Sequence, residues 1–145
     1  FEALHPRHEE IPYVLYQIGV AGFRSFKSVD RPQSTLRESL QYLYQLKERY
    51  PDTKYADEAD DYIVKIRTLL AKHELFVADF YWDRSYWQAA WKRYEYVVNN
   101  FEELPEVHEY ALRMAELSYL RFQEQRTDFS YELRDGSFSD MFDWL

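Results

Sequence analysis

Cysteine is absent from this chain, which excludes disulfides, thiolate metal sites and a cysteine nucleophile and leaves the redox compartment unreadable. Glycine and proline are scarce as well, 3 and 5 in 145 residues. So few breakers argue against a turn-rich β-sandwich and for long helices. Basic residues are outnumbered, 18 Lys and Arg against 26 Asp and Glu, for a net charge of -8. That balance disfavours nucleic acid or an anionic membrane surface as the main partner, since both require clustered cations. Local basic spots stay compatible with it. No apolar run approaches the roughly 18 to 20 residues that span a bilayer. The chain opens with neither Met nor a basic-then-apolar signal segment, so Phe1 is expected to be a processed or truncated end.

What the chain has in excess is aromatic side chains, 14 Tyr, 10 Phe and 4 Trp, or 19% of the sequence. With 46% hydrophobic content, its length suits one domain that buries about two-thirds of the unfolded surface. The most informative stretch is Leu70 to Arg93, LAKHELFVADFYWDRSYWQAAWKR. Val77-Ala78-x-x-Tyr81 fits the second part of the tetratricopeptide pattern W-x2-L-G-x2-Y, and Ala90-x-x-x-Tyr94 fits the following A-x3-F. The interval between them holds the end of one helix, a tight turn and the start of the next. Small residues at 78 and 90 let two backbones approach, with Tyr81 and Tyr94 filling the space beside them. The expected fold is therefore all-α, a tetratricopeptide-type helix-hairpin solenoid with one long central helix and a short tail.

From the beginning, Phe1 to Pro6 reads as the end of a helix and its terminating proline. Ile11, Val14, Leu15, Ile18, Gly22 and Phe26 then recur at helical spacing, and Leu15-x-x-Ile18-Gly19 matches W-x2-L-G. Gly22 replaces the expected Tyr, which leaves room for a bulky neighbour. A polar linker, Lys27 to Ser34, lengthens the first hairpin by a loop insertion, and Ser34 is placed to cap the next helix. That helix carries Leu36, Leu40, Leu43, Leu46 or Lys47, and Tyr50, and stops at Pro51. Tyr55 to Arg84 contains no Pro or Gly, and Ala59, Ile63, Ile66, Leu70, His73, Val77 and Tyr81 keep one stripe, which predicts a single helix of about thirty residues and ~45 Å. Its acidic start (Asp57, Glu58, Asp60, Asp61) complements the helix dipole. The helix from Tyr86 to Phe101 is apolar on two sides and so reads as sandwiched. A last helix starts at Pro105 and is expected to run to about Gln125, with Val107, Ala111, Met114, Ser118 and Phe122 inward.

The predicted array covers 1-125 and a tail covers 126-145. Phe129, Tyr131 and Leu133 alternate before Asp135-Gly136, the signature of a hairpin. The competing reading places a short helix after Gly136, with Phe138, Met141, Phe142 and Leu145 at i, i+3, i+4 and i+7 and Ser137-x-x-Asp140 as a variant capping box. The helix is the preferred reading for the last nine residues, docking either on the array's own end or on a partner.

Chemistry-bearing constellations are nearly lacking. His5-x-x-His8 has no third ligand at zinc spacing, and His73-Glu74 is not H-E-x-x-H because position 77 is Val. Asp79 and Asp83 are one turn apart, a spacing open to acid-base chemistry, yet they fit a solvated face partly neutralised by Arg84. No nucleophile elbow or phosphate-binding glycine loop occurs. No cofactor or metal is expected. The aromatic wealth lacks the surrounding cations of a base-stacking surface and reads as helix packing.

Three runs carry a family resemblance: Tyr50-Pro51-Asp52-Thr53-Lys54-Tyr55; Leu70-Ala71-x-His73-Glu74-x-x-Val77-Ala78-x-x-Tyr81-x-x-Arg84; and Trp87-x-Ala89-Ala90-x-x-Arg93. Together with Asp30-Arg31-x-x-Ser34 and Ala111-Leu112 through Tyr119, they resemble the BamD family, tetratricopeptide lipoproteins of the bacterial outer-membrane β-barrel assembly machinery, over about residues 1-125. Ser85 stands where that family usually carries Gly, which predicts a differently built turn after Arg84. The family's lipidated cysteine and first repeats are not in the sequence, and nothing in the resemblance covers the tail.

The resemblance implies a noncatalytic scaffold on the periplasmic face of the outer membrane, held there by a lipid anchor outside this chain. The implied partners are the POTRA domains of a BamA-like barrel subunit, other assembly-machinery lipoproteins and outer-membrane protein precursors. Arg93 stands where the family has the arginine that pairs with the POTRA surface, and its fork suits a carboxylate or a neighbouring ring such as Trp87 or Tyr94. An internal pair with Glu74 is the competing role. Arg84 and Trp87 on the same hairpin, and Phe138, Phe142 and Trp144 in the tail, complete the candidate partner-binding set. Another periplasmic tetratricopeptide adaptor, serving cell division or secretion, is the alternative function. An enzyme whose active site lies in the tail or the missing N-terminus is the third.

Overall fold

A computed structural model describes residues 10-134, with side chains through residue 128. Five helices follow one another: α1 (Glu10–Arg24), α2 (Ser34–Arg49), α3 (Lys54–Asp83), α4 (Trp87–Asn100) and α5 (Pro105–Arg134). Among the described residues there is no strand, so the chain has the all-α, tetratricopeptide-like fold its periodicity predicts. It forms two compact units, Phe1–Phe76 and Val77–Leu145.

In the first unit α1 and α2 form a hairpin whose core is Ile11, Leu15 and Val20 against Leu36, Leu40, Leu43 and Leu46. Leu15, Leu43 and Leu46 are almost wholly enclosed, each burial being worth about 1.5-3 kcal/mol. The two backbones meet closely where α1 has glycine. A methyl on Gly19 would run into the Leu43 side chain, and one on Gly22 would run into Ser39 Oγ and lie 2.9 Å from Ser39 Cβ. Gly22 therefore faces a small residue and a close-packed backbone, and the expected bulky neighbour is found instead opposite Gly19. Ile18 is turned outward, 40% exposed, because Gly19 and Val20 take the buried face.

The linker between α1 and α2 is held by its own polar groups. Gln33 occupies the N-cap position without a capping hydrogen bond, so Ser34 is the first helical residue and not the cap. Gln33 is buried and spends its Nε2 on the carbonyls of Ser28, at 3.3 Å, and Arg31. His73 Nδ1 on α3 bonds the Val29 carbonyl. Ser28 Oγ donates to Asp30 and holds that carboxyl below its usual range.

The single thirty-residue helix is present as α3. Thr53 Oγ1 accepts from the Ala56 amide at 3.3 Å, a side-chain cap on the first turn. Its acidic opening is exposed, with Asp60 paired to Lys47. The stripe holds through Ala59, Ile66 and Leu70 and then rotates by one position, since Ala71, Glu74 and Ala78 are buried whereas His73, Val77 and Tyr81 are half-buried. The cause is a change of neighbours, because α3 belongs to the first unit as far as Phe76 and to the second from Val77. Aromatic rings of α1 and α3 interleave, mostly edge to face: Tyr16 lies 5.6 Å from Tyr55 and 5.9 Å from Tyr62, and Phe23 lies 5.7 Å from Tyr62. The aromatic excess thus goes into helix packing.

In the second unit α4 buries Ala90, Tyr94 and Val97, and Phe101 and Leu104 close the turn that follows. It is sandwiched as expected, with Trp87 against Trp82 of α3 and Trp91 against Tyr119 and Phe122 of α5, ring centroids 5.0 to 6.0 Å apart. The buried face of α5 is small (Ala111, Ala115, Ser118). This helix runs on to Arg134, nine residues past the expected end. The alternation of Phe129, Tyr131 and Leu133 is thus helical and not a hairpin strand, because no Gly or Pro interrupts the chain before Gly136. The 125/126 division is not a helix boundary.

Gly19→Ala gains helix propensity worth about 1 kcal/mol, but drives a methyl into enclosed Leu43, an overpacking cost of about 1-3 kcal/mol. Urea unfolding is expected to show a net loss of stability with unchanged m-value. Equal or raised stability would mean that the α1-α2 contact yields easily.

Candidate partner-binding site at the α3-α4 turn

The turn is built from backbone hydrogen bonds. The Tyr86 amide donates to the Tyr81 carbonyl at 2.9 Å and the Ser85 amide to the Trp82 carbonyl at 3.0 Å, the paired bonds of a Schellman motif. Ser85 has φ 60°, the left-handed conformation such a motif requires after the helix and glycine adopts most easily. The turn therefore has the shape glycine would give it, and the expectation of a different construction is corrected: the hydrogen bonds impose the shape and serine bears the strain.

Behind the turn lies a polar node that sequence spacing misplaced. Asp79 was expected on a solvated face with Asp83. Asp83 is exposed, but Asp79 is half-buried and accepts hydrogen bonds from Tyr94 Oη and, at 2.9 Å, from Tyr110 Oη. One carboxylate oxygen thus joins α3, α4 and α5. The Tyr94 ring is wholly enclosed, and a buried hydroxyl needs a partner. Burial first, and then the bond to Asp79, push the Tyr94 and Tyr110 phenols above their ordinary value of 10.0. The available signal was Tyr94 itself, one turn from Ala90 on the buried face, whose hydroxyl had to find an acceptor.

Cations cover the rings around the turn. The Arg84 guanidinium lies 3.6 Å from the Phe80 ring centre, and Arg121 lies 5.9 Å from that of Trp87. Lys92 lies 4.4 Å from Trp91, and Arg126 lies 5.6 Å from Phe122. Trp87, Ala89, Phe122, Gln125, Ser85 and Tyr86 line a cleft of about 280 Å³, beside which Tyr86 is 58% exposed. Trp87 is half-buried in this cluster. Arg93 is exposed on α4 and is engaged by contacts of its own. Six residues separate it from Trp87, about 240° around the helix, so the two lie on different sides of α4. Tyr94 is enclosed, and Glu74 is paired with Arg37 at 3.9 Å. Phe138, Phe142, Trp144 and the pair His5 and His8 lie outside the described residues.

The site thus combines a strained turn, a half-buried phenol-carboxylate node and cation-capped rings. Comparison with known proteins decides the lineage: the family described as YfiO, outer membrane lipoprotein, matches residues 1-132. The chain belongs to that family. Relatives named outer membrane protein assembly factor BamD include one from Neisseria meningitidis serogroup B, 30% identical over 136 residues, covering 87% of this chain and 51% of the relative. A BamD from Vibrio cholerae is 26% identical over 137 residues, 86% of this chain and 54% of the relative. One from Caulobacter vibrioides is 26% identical over 116 residues, 80% and 38%. The chain thus spans about half the length of the curated relatives it matches most fully. For the YfiO family the resemblance drawn from the three sequence runs was the correct one.

Two expectations follow from the geometry. Ser85→Gly removes left-handed strain of about 1-2 kcal/mol against an unfolded-state entropy cost of roughly 0.5-1 kcal/mol. Melting of the variant is expected to rise slightly, and a fall would show that the serine side chain stabilises the turn. Because the fold favours the neutral forms of Tyr94 and Tyr110, stability is full below pH 10.0, the ordinary tyrosine value. It falls as pH rises further, since the unfolded chain ionises these phenols first. Tyr94→Phe is expected to flatten that alkaline loss in urea titrations, and a loss as steep as in the parent would refute the assignment.

Proposed function

We propose that this chain is part of a noncatalytic scaffold of the outer-membrane β-barrel assembly machinery. In this reading it stands on the periplasmic face of the outer membrane, tethered by a lipid outside the sequence given. It binds the POTRA domains of a BamA-like barrel subunit and helps outer-membrane proteins insert, alongside other assembly lipoproteins. The carrying observation is family membership over 132 residues together with relatives named as assembly factors. The surface adds support. Arg84 and Trp87 lie within a cation-aromatic cluster, and exposed Arg93 presents a planar fork suited to a carboxylate. Aromatic and arginine side chains of this kind dominate protein interfaces.

Arg93→Glu is expected to abolish capture of the purified periplasmic domains of the barrel subunit while leaving helical circular dichroism and the melting temperature near those of the parent. Reversing one charge against a carboxylate converts attraction to repulsion and costs a few kcal/mol, roughly a hundredfold in affinity. Undiminished binding would remove Arg93 from the interface, and loss of helicity would assign it to an internal contact.

A further inference from the structure

A hollow lies within the first unit, between the end of α1 and the middle of α3. Phe23, Phe26, Val64 and Leu69 line it together with Arg24, Lys65 and Thr68, around a volume of about 470 Å³, a size that suits a small ligand. Its walls are mostly apolar. Phe23, Phe26 and Leu69 are half-buried, and Val64 is left 52% exposed. The two charges among the lining residues are both positive, and no acid is among them. Arg24 ends α1, and the Lys65 ammonium lies 5.0 Å from the Tyr62 ring centre. Among the described residues no carboxylate pairs with either cation. In a chain of net charge -8, such a local basic spot selects an anion. Apart from these two cations the hollow offers no hydrogen-bond donor. Six of its residues have their amides inside α1 or α3, the Phe26 amide donates to the Phe23 carbonyl at 3.1 Å, and the Thr68 hydroxyl donates to the Val64 carbonyl at 2.7 Å. A peptide laid there would strip water from its main-chain carbonyls with little in exchange. An acyl chain carries no such groups to satisfy.

We propose that this hollow binds a fatty acid, its single acyl chain against Phe23, Phe26, Val64 and Leu69 and its carboxylate held by Arg24 and Lys65. Such binding goes beyond the assembly role and does not depend on it.

Isothermal titration of the full chain with dodecanoate, kept below its micellar concentration, is the test. Saturable one-to-one binding is expected. Dodecyltrimethylammonium, with the same chain and the opposite charge, should bind about tenfold more weakly or worse. Octanoate, four methylenes shorter, should also lose about tenfold or more. Arg24→Glu with Lys65→Glu should weaken dodecanoate by about tenfold or more, and so should Val64→Asp, which sets a like charge against the chain. All three positions are exposed, so circular dichroism is expected to be unaltered in both variants. Equal affinity for the cationic amphiphile, or undiminished dodecanoate binding in either variant, overturns the proposal. Uptake that never saturates overturns it in favour of adsorption to the surface at large. Binding of an acidic amphipathic peptide, with none of dodecanoate, overturns it in favour of a protein ligand.

Discussion

A half-buried carboxylate that accepts two phenols constrains everything in the second unit. Asp79 takes hydrogen bonds from Tyr94 and Tyr110, and each donor stands on a different helix from the acceptor. Hydrogen bonds to a charged acceptor are stronger than neutral ones, and a phenol enclosed as completely as Tyr94 cannot exchange its acceptor for water. The node therefore fixes the rotation of α4 and α5 about their axes, beyond what apolar packing alone specifies. That rotation puts Trp87 and Trp91 against α5 and leaves Arg93 on another side of α4.

Both hairpins use one device for close approach with different residues. In the first unit Gly19 and Gly22 admit Leu43 and Ser39. In the second, the small residues Ala78, Ala90, Ala111 and Ala115 are buried and rings pack nearby. Small residues set the spacing, and aromatics then supply the buried area that small residues cannot. This division explains how a chain so rich in Tyr, Phe and Trp remains tightly packed.

Charge is distributed to the same end. Although acids outnumber bases over the whole chain, Phe80, Trp87, Trp91 and Phe122 near the α3-α4 turn are each overlaid by a cation. Guanidinium groups on ring faces lose little freedom when a partner arrives, since their position is already fixed. A protein surface of this composition is suited to holding another polypeptide, in accord with the assembly role proposed for this member of the YfiO family.

The positions of the five helices, and the lengths of all but α5, were legible in the sequence because long stretches free of Gly and Pro carry apolar residues at 3.6-residue spacing, a property of the chain's own geometry. The long α3, the turn into α4 and the burial of Ala78 and Ala90 followed from it. The faces were not. Which side of α3 is buried beyond Leu70, why Asp79 turns inward, and what Ser85 must endure depend on neighbours brought from 15 or 31 residues away and on turn hydrogen bonds. Periodicity records that a helix has an inside, but only the packing of other helices against it decides which polar group is captured there, because a hydroxyl enclosed by tertiary contacts must take whatever acceptor the fold sets beside it.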